Sequence, residues 1–386
     1  MSRKSTPGRV SLALVGVALV ALLAAGCSKG TADDETSVKD ATSDTAKEAL
    51  EAAFTGTPGT VPTTPTTPKP GVNLWVVSCG QQVPSCASPA DAAIAAAKLV
   101  GWTAKLCDGQ LNPDGWGNCV RQAISAGAEV IIPIGIDCAA VQQPFAEAKQ
   151  AGVKVVGGGG SDCDSVGGEK LWTTERLQIE GLSVKDYWEK AGATVADYLI
   201  GSTDAAAKVL EVKFTDPLWG PWLSEGFDTQ LATCEDCEVV DTLELSNNDF
   251  VSGAATDKFA SALQKATDAN AVYVAVGGWM PTGFAQAVVA SGRQADLVVA
   301  SGFGNGANME LIRTNTGQNG VLGYATEWGA WGSVDTAIRV MNGEEPVVEG
   351  DGFQMVDPDH NLPADAEDYQ GNVDFKAEYK ALWGVR

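Results

Sequence analysis

Histidine is nearly missing from this chain: among 386 residues the only one is His360, within Asp357-Pro358-Asp359-His360-Asn361. Serine or cysteine nucleophiles that need an imidazole base would all depend on that side chain, and histidine-rich zinc sites are excluded. It reads as a surface-turn residue rather than a base. Positive charge is scarce too, with 26 Lys and Arg against 49 Asp and Glu and a net charge of -23. A surface of that sign repels phosphate backbones and is not drawn to anionic lipid headgroups, so nucleic acid is not an expected partner. The glycine run 157–160 lacks the Gly-Lys-Ser/Thr ending that would hold a nucleotide phosphate. Between residues 27 and 70 large apolar side chains are almost absent, and the stretch 58–70 alternates Pro with Thr and Gly. Such a segment cannot offset its ordering entropy by burial, so 27–70 is expected to be a disordered linker, acidic at first and then Pro/Thr-rich.

What is present begins with Arg3, Lys4 and Arg9, then an apolar run over 10–25 ending in Gly26-Cys27. A basic start, a short apolar core and small residues before a cleavage point describe an export signal over 1–26. The ending Leu22-Leu23-Ala24-Ala25-Gly26-Cys27 resembles the bacterial lipoprotein box, in which the cysteine is acylated and becomes the mature N-terminus. It departs from that box in having Ala24 where leucine is usual. A retained transmembrane anchor is the alternative. Either way the remainder is expected outside the cytoplasm, tethered to the cell membrane. Loss of the three basic residues takes the charge from -23 to -26.

Nine cysteines less Cys27 leave eight, an even number in an exported chain, which favours disulfides. Chain neighbours suggest Cys79–Cys86, Cys107–Cys119, Cys138–Cys163 and Cys234–Cys237, one of about 105 possible pairings. Cys234-Glu-Asp-Cys237 could also be a redox pair or half a zinc site. Its acidic flanks would raise thiol pKa values and no second pair stands nearby, so a structural bridge is favoured and no metal is expected.

From residue 71 onward, short apolar runs alternate with alanine-rich segments of helical spacing. Strands are expected at 73–78, 103–106, 130–134, 153–157, 208–214, 238–243, 271–276, 297–300 and 320–324, and helices at 90–100, 116–126, 139–151, 222–231, 251–267 and 283–291. Near-continuous apolar strands joined by helices mean parallel sheets covered on both faces, here in two sets.

The order Cys107-Asp108-Gly109-Gln110, then Arg121 through Pro133, Gln150-Ala151-Gly152-Val153-Lys154-Val155-Val156, Ala207 through Val212, Glu225-Gly226-Phe227, Ala287 through Arg293 and Val340-Met341-Asn342-Gly343-Glu344 resembles type I periplasmic solute-binding proteins of the ribose and galactose kind. The resemblance runs from residue 73 to the C-terminus and implies an α/β fold of two doubly wound parallel-sheet lobes joined by a three-crossing hinge. The crossings are expected near 164–172, 325 and 350, giving an N-terminal lobe of 71–165 with 326–349 and a C-terminal lobe of 166–325 with 350–386.

Ligands of open α/β sheets sit beyond the carboxyl ends of the strands. Loops meeting that criterion carry Ser78, Gln81, Gln82, Asp108, Gln110, Asp137, Ser161 and Asp162 in the first lobe. In the second they carry Asp216, Leu218, Trp219, Trp222, Trp279, Asn305, Thr326, Glu327 and Trp328. Carboxylates and amides offer paired hydrogen-bonding groups to sugar hydroxyls, and indoles cover the apolar face of a pyranose. Where sugar-binding relatives place Asn-Asp, this chain has Gly277-Gly278-Trp279. Where they place aspartate and arginine, it has the run 157–160, and the arginine expected near the helix ending in Glu225-Gly226-Phe227 is replaced by Pro221, Trp222 or Leu223. Fewer polar side chains and more indoles point to a ligand bulkier or less polar than a free pentose.

The expected function is a lipid-anchored substrate-binding protein of an ABC importer, capturing a carbohydrate or carbohydrate-like solute and docking as a monomer on a membrane permease, without a cofactor. A non-sugar solute, aromatic or another small organic compound, or a ligand sensor for a membrane receptor is the alternative. Glycoside hydrolysis by paired carboxylates is a further reading, but no catalytic constellation stands out and an enzyme is not expected.

Overall fold

Side-chain alternation in the first strand shows how the architecture is built. In β1 (Asn73–Ser78), Leu74 and Val76 enter one apolar cluster while Trp75 and Val77 enter another, so both faces of the strand are buried. The computed structural model describes residues 32–364 and 367–386; the expected export signal over 1–26 and the acylation site Cys27 lie outside them. Residues 41–386 form one unit. Among the described residues no helix is long and apolar enough to cross a membrane.

Among the described residues the first element is α1 (Ala32–Thr55), and β1 is followed by α2 (Pro84–Leu99), β2 (Thr103–Asp108), α3 (Pro113–Ser125), β3 (Val130–Ile134), α4 (Gln142–Gln150) and β4 (Lys154–Val155). These strands make a parallel sheet of order β2-β1-β3-β4. The second lobe comprises α5 (Val184–Ser202), β5 (Lys208–Phe214), α6 (Trp219–Leu231), β6 (Glu238–Leu245), α7 (Asn247–Val251), α8 (Ala255–Lys265), β7 (Ala271–Val274), α9 (Phe284–Ala290), β8 (Val298–Phe303), α10 (Gly306–Arg313) and β9 (Gly320–Tyr324). After α11 (Thr326–Asn342), β10 (Phe353–Val356) adds to this sheet antiparallel to β9, giving the order β10-β9-β8-β7-β5-β6, and α12 (Phe375–Trp383) ends the chain. The two lobes therefore have the doubly wound α/β form expected of them.

The chain passes between lobes near residues 175–178, 325 and 350. The first passage lies later than expected, because Trp172 still packs on Phe145 in the first lobe and Glu175 accepts the Asp162 N–H. The backbone N–H groups of Glu349 and Gly350 donate to Leu177 and Gln178, so the first and third passages run side by side. The C-terminus corrects the expected boundary of the second lobe. α12 returns to the first, where Trp383 stacks on Trp331 of α11 and its indole N–H donates to Asp335 at 2.7 Å.

The expectation of disorder up to residue 70 is also corrected. Ala46, Ala49 and Ala53 put a buried stripe along α1, and Ala49 and Ala53 join the second-lobe core with Tyr198 and Leu199. Thr57 then bridges Phe353, Val61 enters the first-lobe core, and the Arg339 guanidinium donates to the Thr64 carbonyl at 2.7 Å. Residues 44–70 are thus a strap from one lobe to the other. Disulfides join Cys79 to Cys86, Cys107 to Cys119, Cys138 to Cys163 and Cys234 to Cys237.

Candidate functional site

In both sheets the strand order reverses between the first strand and its neighbour, β1 beside β3 and β5 beside β7. Helices diverge to opposite faces at such a point and leave a crevice beyond the carboxyl ends of the strands. The four loops that leave those strands face one another across a cavity of roughly 750 Å³. Cys79, Gln82 and Val83 come from the loop after β1, and Gly135 and Asp137 from that after β3. Across from them stand Thr215, Asp216 and Pro217 after β5, with Val276, Gly278 and Trp279 after β7.

The second-lobe wall is a run of rings. Phe250 stacks on Trp279 with centroids 4.4 Å apart, Trp279 meets Phe214 at 5.1 Å, Phe214 meets Trp219 at 5.5 Å, and Trp219 meets Phe303 at 5.1 Å. On the opposite wall are the Cys79–Cys86 bridge, Val83, Leu111 and Trp116, whose indole N–H donates to the Cys79 carbonyl at 2.8 Å.

The lining includes three charged side chains, Asp137, Arg176 and Asp216. Arg176 is buried where the passages between lobes converge. Its guanidinium donates to Glu349 at 2.7 Å, to the Tyr324 hydroxyl at 2.9 Å and to Asp351. Burial drives both carboxyls toward their neutral forms, and Arg176 opposes that shift. Asp137 accepts the Ser161 N–H through Oδ1 and the Leu218 N–H through Oδ2, both at 2.9 Å. Leu218 immediately precedes α6 in the other lobe, so the second bond clasps the lobes across the cleft at a helix N-terminus. Burial raises the Asp137 pKa, and the two N–H donors pull it back. Asp216 is exposed and accepts the Asn247 N–H at 2.6 Å.

Of the residues expected from the sequence, Gln82, Asp137, Asp216, Trp219, Trp279 and Thr326 line the cavity. The others are placed elsewhere. Gln81 donates its backbone N–H to Asp108, which also accepts from Gln110, so these residues pin two loops to each other. Asp162 is fully buried and accepts the N–H groups of Cys163, Leu171 and Trp172. Trp222 packs partly against the second-lobe core, and Asn305 caps α10. Glu327 pairs with Lys376 on α12. Trp328 is 1% exposed, stacks on Phe375 and donates to the Glu349 carbonyl at 2.9 Å, so it is core rather than a stacking surface.

Nor do the glycines 157–160 simply widen the cleft. A Cβ on Gly158 would lie 2.6 Å from the Pro133 carbonyl oxygen, and one on Gly160 2.1 Å from that of Ile136, so the run is needed for close backbone packing against the end of β3. Cavity residues that the sequence reading passed over include Arg176, Phe214, Phe250, Phe303 and Tyr324. Phe214, Phe303 and Tyr324 end strands, a position that could have marked them as facing the crevice.

Chemically, this arrangement can enclose a solute between two walls. The one cluster of metal-type ligands among the described residues, Cys138, Asp162 and Cys163, has its two sulfurs joined in a disulfide. His360 lies away from the cavity, stacked on Phe54 of α1 at 3.8 Å and beside Asp357.

Residues 81–345 match the family described as Periplasmic binding protein domain. No curated protein sequence matches the chain. Among solved structures, similar folds include the periplasmic binding protein component of the arabinose ABC transporter from Shewanella sp. ANA-3, at 16% identity and TM-score 0.62, covering 81% of this chain and 95% of that one. An ABC transporter solute-binding protein from Burkholderia graminis C4D1M in complex with D-arabinose gives 16% and 0.63, covering 76% and 98%. One from Mycobacterium smegmatis with bound glycerol gives 20% and 0.62, covering 77% and 99%.

Proposed function

Because the chain belongs to the periplasmic binding protein domain family, a family of binding proteins rather than enzymes, we propose that it is the extracytoplasmic solute-binding component of an ABC importer. It holds a carbohydrate or carbohydrate-like solute between its lobes and is tethered to the cell membrane by a lipid on Cys27. The observation that carries this reading is the single cavity formed by the loops of both switch points. Closure of two lobes about a hinge encloses such a solute, and the solute favours closure by its differential affinity for the two forms.

The test is a thermal-shift screen of the soluble chain against sugars, polyols and glycosides, with calorimetry and small-angle scattering on each hit. Stabilisation with near-micromolar affinity and a smaller radius of gyration is expected. A chain that no solute stabilises or closes refutes the reading. Cys27→Ser is expected to move the protein from the membrane fraction to the soluble fraction; an unchanged distribution refutes the lipid anchor.

A further inference from the structure

We propose that the cleft takes an uncharged solute bearing an aromatic ring, the ring lying against the Trp219–Trp279 wall and neutral hydroxyl groups reaching the amides at the mouth. This inference rests on the solute-binding reading and narrows it.

Two independent features carry it. The first is the wall. Phe250, Trp279, Phe214, Trp219 and Phe303 form an unbroken series of ring contacts along one side of the cavity, and Trp116 with the Cys79–Cys86 bridge faces them from the other lobe. A ligand between two such faces is recognised by apolar area and ring geometry, and aromatic pairs add to plain area burial. The second is the state of the charges. Arg176 is held by Glu349, Asp351 and the Tyr324 hydroxyl, and both Asp137 oxygens accept backbone N–H groups. Asp216 is exposed at the rim. A carboxylate carried inside would lose its water without gaining an uncommitted cation, and the one uncommitted carboxylate oxygen open to an ammonium belongs to the exposed Asp216. An anion beside Arg176 would also meet the two carboxylates already paired with it. What stays open at the mouth is neutral: the side chains of Gln82 and Asn248 are exposed and make no hydrogen bond within the described residues. Each offers one acceptor and two donors, enough for hydroxyl groups.

Four related probes separate ring from charge. Coniferyl alcohol is neutral and aromatic, coniferin is its glucoside, ferulate carries a carboxylate where the alcohol carries its hydroxymethyl group, and glucose lacks the ring. Calorimetry on the intact protein in about 0.5 M salt shortens electrostatic range to a few Å, so that the overall negative charge does not decide the outcome. The tighter of the two neutral aryl compounds is expected to bind more than about tenfold more strongly than ferulate or glucose. Trp219→Ala is expected to remove that preference and Trp219→Phe to restore part of it.

Equal or tighter binding of ferulate or glucose overturns the proposal, as does binding of neither neutral aryl compound. If sugars or polyols close the lobes while both aryl probes fail, the solute-binding reading stands and this ligand class falls. If no solute in either set binds, both fall.

Discussion

Asp137 offers the sharpest test of how the cleft closes, because its two oxygens do different jobs. Oδ1 holds Ser161 within its own lobe, whereas Oδ2 accepts from Leu218 in the other and is lost when the lobes part. A hydrogen bond to a charged group contributes about 1.5–3 kcal/mol, and burial of the carboxyl, which raises its pKa, returns part of that. A net closure term of about 1–2 kcal/mol corresponds to a factor of roughly 5–30 in the closed-to-open ratio. Asp137→Ala is therefore expected to raise the dissociation constant of a bound solute by that factor and to increase the radius of gyration in scattering. It also frees Ser161, so a second variant should attack the bond from the other side. Leu218 has φ near -59°, which proline adopts, and Leu218→Pro deletes the donor without touching Ser161. If one bond accounts for both losses, the double variant should be little worse than the more damaging single variant. Additive losses, or unchanged affinity in both single variants, would refute the clasp.

Arg176→Met strands Glu349 and Asp351 without their buried cation and is expected to cost about 3–5 kcal/mol in urea unfolding at neutral pH. The deficit should shrink in acid, where those carboxyls take up protons; a loss below about 1 kcal/mol would mean that the passages do not depend on this cluster. Glu211 is wholly buried, with Lys213 3.0 Å away but no hydrogen bond to either oxygen. Burial, then the nearby Asp228, pushes its pKa up to about 8 against an offset from Lys213. The stability that this raised pKa contributes is complete below the ordinary value near 4.5 and is lost as pH rises through about 8. Glu211→Gln should flatten that decline and be the more stable protein above pH 8, by up to a few kcal/mol. Parallel stability curves for the two proteins would count against the assignment. Ala53→Asp places a charge on the buried stripe of α1 and should release the strap, seen as proteolytic cleavage between residues 44 and 70. Resistance equal to that of the parent would show that the stripe does not hold it.

Much of the fold was legible because buried parallel strands leave unbroken apolar runs. β1, β3, β5 and β9 have the limits read from sequence. Helix starts were read too late where proline opens the helix, since Pro84 and Pro113 sit in the first turn of α2 and α3 and Asn112 caps the latter. The helix read over 251–267 starts later, at Ala255, because Gly253 takes φ +77° and separates α8 from α7, which ends at Val251. The stripe Ala46, Ala49 and Ala53 was present in the sequence, hidden by acidic neighbours whose composition suggested disorder.

The site was less legible, because loop position selects residues near a crevice without saying which way they point. Asp162 and Trp328 have the chemistry of ligand-binding residues, yet one ties a turn to its own backbone and the other fills the core beneath α12. Phe214 was read only as the last residue of a strand and Phe303 fell beyond the strand expected at 297–300, and the order of strands in the second sheet puts both at the cavity wall. Arg176 had no local signal at all, since its carboxylate partners Glu349 and Asp351 come from the third passage, far along the chain. That distance is what makes the cluster informative about mechanism. It joins the first and third passages to Tyr324 at the end of β9, where the second begins, and the same arginine lines the cavity. The cleft is therefore lined by a side chain that ties all three passages together, and any shift of the lobes must either move that cluster as a unit or break buried charge pairs. The second course is the costlier, so the lobes are expected to turn about the Arg176 cluster while the Asp137–Leu218 clasp opens and closes at the mouth.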